Sequence, residues 1–145
     1  MSATALPEGL AETRDAFLEL PEADRLTLLL EYSGELPAVP ERLADRPELF
    51  ERVAECQSPV YIIVEVNSDV AAVHATAPPE APTTRGFASI LVQGISGLSV
   101  HESLQIPEDF PQSLGLTRVV SPLRLSGMTG MLLRIKRQIR EKQGE

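Results

Sequence analysis

Residues 60–76 hold the pattern that most restricts the fold of this chain. Val60 to Val66 reads Val-Tyr-Ile-Ile-Val-Glu-Val, a run of β-branched and aromatic residues that is typical of a strand. Asn67-Ser68-Asp69 then supplies turn-forming residues, and Val70 to Thr76 reads as the hairpin partner. A shorter strand around Glu51 to Ala54 would flank the pair. The sequence therefore predicts a small antiparallel sheet of about three strands.

Helical patterns lie on both sides of this sheet. Before it, one helix face is formed by Leu6, Leu10, Phe17 and Leu20, and a second, after Pro21, by Leu26, Leu29 and Leu30, with Gly34 as a stop. Between Glu35 and Pro47, three prolines predict an extended connection. After the sheet, Phe87, Ile90, Leu91 and Ile95 mark a third helix, closed by Gly94 and Gly97.

Two capping signals predict the remaining helices. Ser99 and Glu102 have the spacing of a capping box, and Ser121-Pro122 has the residues of an N-cap and a first helical position. The last helix presents an apolar face of Met128, Met131, Leu132, Ile135 and Ile139. We therefore predict an α+β fold, with helices packed mainly on one face of the sheet and residues 1–145 forming one domain.

Composition limits the class of protein. The net charge is −8, and an acidic body argues against nucleic-acid binding, which requires a basic face. Residues 1–8 do not resemble a secretory signal, and no apolar run reaches the length of a membrane span, so we expect a cytoplasmic protein without membrane contact. Basic residues cluster at the end of the last helix (Arg134, Lys136, Arg137, Arg140 and Lys142), where the helix dipole favours cations and where a partner protein is an alternative explanation.

Cys56 is the only cysteine, and it precedes the main strand in a loop beside Gln57 and Ser58. One thiol closes no intramolecular disulfide and supplies too few ligands for a zinc or iron–sulfur site. Any chemistry at this position is therefore that of a lone nucleophile or carrier. Glu55 next to it would raise the thiol pKa, and nothing in the spacing connects His74 or His101 to it as a base. A cysteine protease is thus disfavoured, and the two histidines alone predict no metal site.

Several motifs in order resemble the SufE and CsdE family of cysteine-desulfuration proteins. They are Leu29-Leu30-Glu31-Tyr32-Ser33, Leu36-Pro37, Cys56-Gln57-Ser58 with Val60, Arg85-Gly86, and Ser121-Pro122 with Arg124 and Gly127-Met128. The resemblance extends over roughly residues 10–140. The chain differs from the family at Tyr61, where tryptophan is usual, at Pro59, and at Pro78-Pro79-Glu80, which replaces an acidic-serine-acidic run.

The resemblance implies a function. Members of this family accept persulfide sulfur from a pyridoxal-phosphate cysteine desulfurase of the SufS or CsdA kind, stimulate that enzyme, and pass the sulfur to an iron–sulfur scaffold complex of the SufBCD kind. The acceptor corresponds to Cys56, in a loop that family members place against an apolar hollow. Supporting roles would fall to Gln57, Ser58, Glu80, Arg85 and Arg124. The chain would bind no cofactor of its own and would be a monomer or weak homodimer.

Three other functions stay open on the residues. A one-cysteine thiol oxidoreductase or peroxidase is disfavoured by Glu55 and by the lack of a Cys-x-x-Cys pair. A cluster scaffold of the IscU kind would need more ligands than one cysteine. An interaction module would carry an inert, buried Cys56.

Overall fold

A hairpin of two seven-residue strands forms the centre of the fold. A computed structural model describes residues 6–143, and in it β2 (Tyr61–Asn67) pairs antiparallel with β3 (Val70–Thr76), with Val64 opposite Val73. The connecting residues Ser68 and Asp69 have φ values of 51° and 67°. Two residues with positive φ match the twist of the flanking strands. The predicted hairpin is confirmed, although its first strand begins and ends one residue later than predicted, at Tyr61 and Asn67.

The third strand is short, and side chains of the last helix form hydrogen bonds with backbone groups of the β2 edge that this strand does not reach. β1 (Glu51–Arg52) pairs only with Tyr61 and Ile62, which leaves the rest of that edge of β2 without a strand. There the Val64 N–H donates to Gln138 Oε1 at 2.9 Å, and Lys142 Nζ donates to the Val64 carbonyl. These side chains satisfy backbone groups that an exposed strand edge would leave open.

Among residues 6–143, six helices accompany the sheet. They are α1 (Glu8–Glu19), α2 (Glu22–Ser33), α3 (Glu41–Ala44), α4 (Pro82–Ile95), α5 (Val100–Leu104) and α6 (Pro122–Gln143), with 3₁₀ turns at Pro47–Leu49 and Phe110–Leu114. One face of the sheet, which includes Ile62 and Val64, packs against α4 and α6. Burial of these aliphatic side chains is the main stabilising term. The structure confirms the α+β fold that the sequence predicts.

Both capping predictions are confirmed. Ser99 accepts a hydrogen bond from the Glu102 N–H at 3.0 Å, and the Glu102 carboxylate accepts one from the Ser99 N–H at 3.1 Å. Ser121 Oγ accepts from the Arg124 N–H at 3.2 Å, at the start of α6. The predicted apolar face of α6 is buried throughout.

Some details of the helices differ from the prediction. α1 begins after Leu6 and ends before Leu20, because proline residues at positions 7 and 21 bound the helical segments. Leu30, predicted in the core, is 41% exposed. Gly94 lies inside α4 instead of ending it, because Leu10 packs against its backbone: a Cβ there would lie 2.2 Å from Leu10 Cδ2.

The basic residues of α6 mostly bond within the chain. Arg137 pairs with Glu51 and Glu141, and the buried Lys136 donates from Nζ to the Ile106 carbonyl at 2.7 Å. These basic side chains therefore bind specific partners within the chain, in addition to their favourable position near the C-terminal end of the helix dipole. Among residues 6–143, no helix is both long and apolar enough to cross a membrane. The predicted absence of a secretory signal concerns mainly residues 1–5, which lie outside the described residues.

Candidate functional site

Cys56 lies in the loop that joins β1 to β2, as the sequence predicts. The loop is closed at its base by the Val53 N–H, which donates to the Val60 carbonyl at 2.9 Å. Within the loop, the Cys56 N–H donates to the Val53 carbonyl at 3.1 Å and forms a tight turn. The cysteine is therefore positioned by rigid strands on both sides.

The thiol itself is turned inward and packs against α6. Cys56 is 6% exposed. On the helix it packs against Gly127, where a Cβ would lie 3.0 Å from Sγ and 3.8 Å from the Cys56 Cα. Glycine at this position allows the loop to approach the helix closely, because a side chain there would crowd the thiol.

A hollow of about 210 Å³ opens beside the thiol. Three segments form it: the Cys56 loop, the first turn of α4 and the first turns of α6. Four of the predicted supporting residues line it together with Cys56, namely Gln57, Ser58, Glu80 and Arg124. The fold thus brings together residues that are up to 68 positions apart in the chain, counting from Cys56 to Arg124.

The hollow is more polar than the resemblance implies. Besides the predicted residues, Glu55, Thr83 and Thr84 contribute polar groups to its lining, and apolar groups come from residues such as Leu123 and Pro82. Leu123 is 54% exposed at the rim. The lining of the hollow is therefore mixed in this chain, because the first turns of its two helices carry threonine and arginine as well as proline and leucine.

Arg85 lies elsewhere. Its Nε donates to the Ser33 carbonyl at 2.9 Å and its Nη1 donates to the Ala77 carbonyl at 2.7 Å. The side chain therefore ties the end of α2 to the segment after β3. Arg85 is not among the residues that line the hollow, and its contacts favour a structural role.

The two histidines are also separate from the thiol. His74 Nε2 lies 3.1 Å from Glu65 Oε1, and the same carboxylate is bound by Arg42 of α3. His101 is exposed on α5. Neither lines the hollow, which agrees with the absence of any spacing signal between them and Cys56.

Burial and charge hold the thiol in its protonated form. Burial raises the pKa of Cys56 to about 11, and the neighbouring Glu55 carboxylate contributes to this rise, while Arg134 and Arg52 partly oppose these effects. The Glu55 carboxylate stays ionised because a hydrogen bond from Arg134 lowers its pKa. In the free protein near neutral pH, Cys56 is ionised in on the order of one molecule in ten thousand.

Two features of the site escaped sequence reasoning. The first is Arg134, whose Nη1 donates to Glu55 Oε1 across 79 residues of chain. The second is Gly130, where a Cβ would lie 2.7 Å from Glu55 Cδ. A usable signal did exist, since glycine inside a helix costs about 1 kcal/mol and Gly127 and Gly130 lie one turn apart on α6. Such spacing indicates a close approach by another segment.

Potential metal ligands are scattered over the structure. Within residues 6–143, no group of three or more His, Cys, Asp or Glu side chains is arranged to hold a metal ion.

Comparison with protein families gives one match that spans most of the chain. A family described as "SufE: Fe-S metabolism associated domain" matches residues 11–139. The matched range includes the Cys56 loop, the starts of α4 and α6, and all residues that line the hollow.

Individual relatives agree with this match. SufE-like proteins of two Mycobacterium tuberculosis strains, both described as uncharacterized, are 49% identical over 138 residues, covering 94% of this chain and 95% of theirs. SufE-like protein 1 of Arabidopsis thaliana, described as chloroplastic/mitochondrial, is 30% identical over 128 residues, 88% of this chain but 33% of that protein. The solution structure of a hypothetical protein from Thermus thermophilus superposes with a TM-score of 0.84 at 33% identity, covering 97% of this chain and 99% of the other.

Proposed function

The chain belongs to the SufE family, which is linked to iron–sulfur metabolism, and from this premise we propose that it is a sulfur acceptor for a cysteine desulfurase. Cys56 would receive sulfur as a persulfide, and the loaded protein would deliver it to an iron–sulfur scaffold complex. The observation that carries the proposal is the position of this single thiol, on a loop between two strands and beside a hollow large enough for an added sulfur atom.

The proposed transfer is a thiolate attack on sulfur. The Cys56 thiolate attacks the outer sulfur of the persulfide on the desulfurase cysteine. A bond forms between Cys56 Sγ and that sulfur, the sulfur–sulfur bond of the donor breaks, and the desulfurase cysteine leaves as a thiolate. The outer sulfur keeps its proton and its oxidation state, so no oxidant is required. Delivery repeats the step, with an acceptor thiolate as the attacking group.

Part of the lining of the hollow would favour an anionic persulfide, against the opposing carboxylates of Glu55 and Glu80. The first turns of α4 and α6 both line it, and the N-terminus of a helix carries a partial positive charge. Arg124 is exposed at the start of α6, where its guanidinium would attract a persulfide or an acidic group of the partner. Gln57 and Ser58 would shape the loop, and Glu80 would border the opening.

The raised pKa of Cys56 explains why a partner is needed. The free protein holds the thiol protonated and buried, and no histidine lines the hollow to remove the proton. We propose that contact with the desulfurase opens the loop and supplies the deprotonating environment. The chain would then act as an accessory protein that has no activity alone, and the pyridoxal phosphate would belong to the partner.

A peroxidase role finds no support at this site. A cysteine that reacts quickly with peroxide needs a lowered thiol pKa and exposure, whereas Cys56 is buried and its pKa is raised. An inert structural cysteine would share both properties with a resting sulfur acceptor. Only a reaction with the sulfur donor separates these two functions.

The test is to load the protein with sulfur. The full chain is incubated with a cysteine desulfurase and free cysteine, without reductant, and its intact mass is measured. We expect one added sulfur atom on the wild type and none on Cys56→Ser. A wild-type protein that gains no sulfur while the desulfurase turns over, or a Cys56→Ser variant that stimulates and transfers fully, would refute the proposal.

A further inference from the structure

Few polar contacts hold the Cys56 loop in place. Among the residues that the structure describes, segment 54–59 makes only two hydrogen bonds to residues outside the segment. One is the turn from the Cys56 N–H to the Val53 carbonyl, and the other joins the Glu55 carboxylate to Arg134 on α6. The second is the only one that connects the loop to the helix that covers the thiol. Its loss would therefore affect the loop directly.

The surface of α6 is shaped to receive this carboxylate. Gly127 and Gly130 lie three residues apart and therefore on one side of the helix. Cys56 packs against the first and the Glu55 side chain against the second, where a Cβ would lie 2.8 Å from Glu55 Oε1. Arg134 follows Gly130 by one turn. Gly127 of α6 therefore contacts Cys56, while Gly130 and Arg134 contact the preceding loop residue, Glu55.

The guanidinium of Arg134 is fixed by further contacts. Its Nε lies 3.3 Å from Glu51 Oε2 in β1, and its Nη1 also approaches the Gly130 carbonyl at 3.4 Å. The side chain is 19% exposed. Among the described residues Nε is buried and has no well-aligned hydrogen bond, so the hydrogen bond of Arg134 to a carboxylate is the one from Nη1 to Glu55, while its contact with Glu51 is an ion pair alone. Burying a donor without a hydrogen bond costs free energy, and the ion pairs of Arg134 offset this cost.

We propose that the Glu55–Arg134 ion pair is a latch that keeps the Cys56 loop closed against α6, with Arg134 as a positioning residue. Opening the latch would free Glu55 and Cys56 together, since both lie on the same short loop. The use of the latch rests on the proposed function, in which the thiol must leave its buried position to meet the persulfide of the desulfurase. The latch itself is a property of the free protein.

Two explanations of the ion pair predict opposite effects at Arg134. The charged groups around Cys56 are Arg52 and Glu55 on its own segment, Glu80 before α4, and Arg124 and Arg134 on α6. If Arg134 acted only through its charge, removing it would make the thiol harder to ionise and would slow its alkylation. If Arg134 acts as a latch, removing it opens the loop and speeds alkylation.

The experiment measures the rate of Cys56 alkylation by iodoacetamide, a neutral reagent, from about pH 7 to 9.5. The variants are Arg134→Met, Glu55→Gln, both together, and Arg42→Met as the control. Arg42→Met removes a similar arginine–glutamate pair, with Glu65, that is remote from the loop. We expect each latch variant to react about two- to fivefold faster, as the loss of a partly exposed ion pair allows. The double variant should react about as fast as either single variant, because both changes break one interaction. The control should react like the wild type.

An Arg134→Met protein that reacts more slowly than the wild type, or at the same rate, would overturn the latch. Gly130→Ala provides a second test that alters no charge: it displaces the Glu55 side chain and should speed alkylation across the pH range without changing the shape of the profile. An unchanged rate in a folded Gly130→Ala protein would also overturn the latch. No desulfurase is present, so these results are independent of the sulfur-loading test.

Discussion

Cys56 packs closely against Gly127, so that a larger residue at position 127 would require the loop or the helix to shift. A Cβ at Gly127 would lie 3.0 Å from Sγ, tighter than ordinary van der Waals contact. The resting position of the proposed acceptor therefore depends on the small size of the residue at position 127. This contact offers a way to move the thiol without altering any charge.

Gly127→Ala should increase the reactivity of Cys56 and lower the stability of the fold by no more than about 2 kcal/mol. The added methyl pushes the loop outward, which costs about 1–3 kcal/mol, but alanine is favoured over glycine in a helix by about 1 kcal/mol. We expect iodoacetamide to react several times faster with the variant. Gly9→Ala is the matched control, because a Cβ at Gly9 in α1 would meet nothing within 4 Å. Equal reactivity of the wild type and Gly127→Ala would show that the contact does not position the thiol.

The raised pKa of Cys56 predicts a loss of stability in alkali. The thiol ionises near pH 11 in the folded protein and near pH 9.0 when unperturbed. Between these values the unfolded state has released its proton and the folded state has not, so stability falls as the pH rises. The fall approaches about 1.4 kcal/mol per pH unit and about 2–3 kcal/mol in total.

Urea unfolding of wild type and Cys56→Ala at several pH values measures this effect. The alanine variant lacks the thiol, so the stability of the wild type relative to the variant should decrease by about 2 kcal/mol between about pH 8 and pH 10.5. A difference that stays constant over this range would mean that the thiol ionises normally in the folded protein.

The ion pair between Arg42 and Glu65 predicts that the stability of the fold decreases at acidic pH. Hydrogen bonds from Arg42 to both carboxylate oxygens, at 2.6 and 2.7 Å, lower the pKa of Glu65 to about 2, with burial opposing and His74 assisting. A lowered pKa stabilises the fold above the usual value of 4.5, and this stabilisation is lost as the pH falls toward 2.

Arg42→Met should therefore lower the melting temperature at pH 7 by roughly 2–4 °C, and the difference from the wild type should vanish near pH 2. Melting curves by circular dichroism over this range provide the measurement. A difference that persists unchanged at the lowest pH would assign the effect to lost packing of the arginine side chain and not to the ion pair.

The sequence alone determined the elements in which the site is built. The β-branched run before Asn67 predicts the hairpin, with its first strand displaced by one residue, and Ser99 with Glu102 predicts the start of α5. Cys56 was placed correctly between two strands, because its neighbours on each side carried strand patterns. These signals act between residues that are close in the chain, where local propensity and hydrogen bonding are sufficient.

Only the tertiary structure decided what surrounds the thiol. Arg134 meets Glu55 across 79 residues, the hollow exists because α4 and α6 both begin beside the loop, and Arg85 binds backbone carbonyls away from it. Such contacts depend on how the helices pack against the sheet. The periodicity of apolar residues gives no information about the distance between two side chains that are far apart in the sequence. The sequence therefore identified the candidate reactive atom, whereas packing decided that it rests buried and protonated.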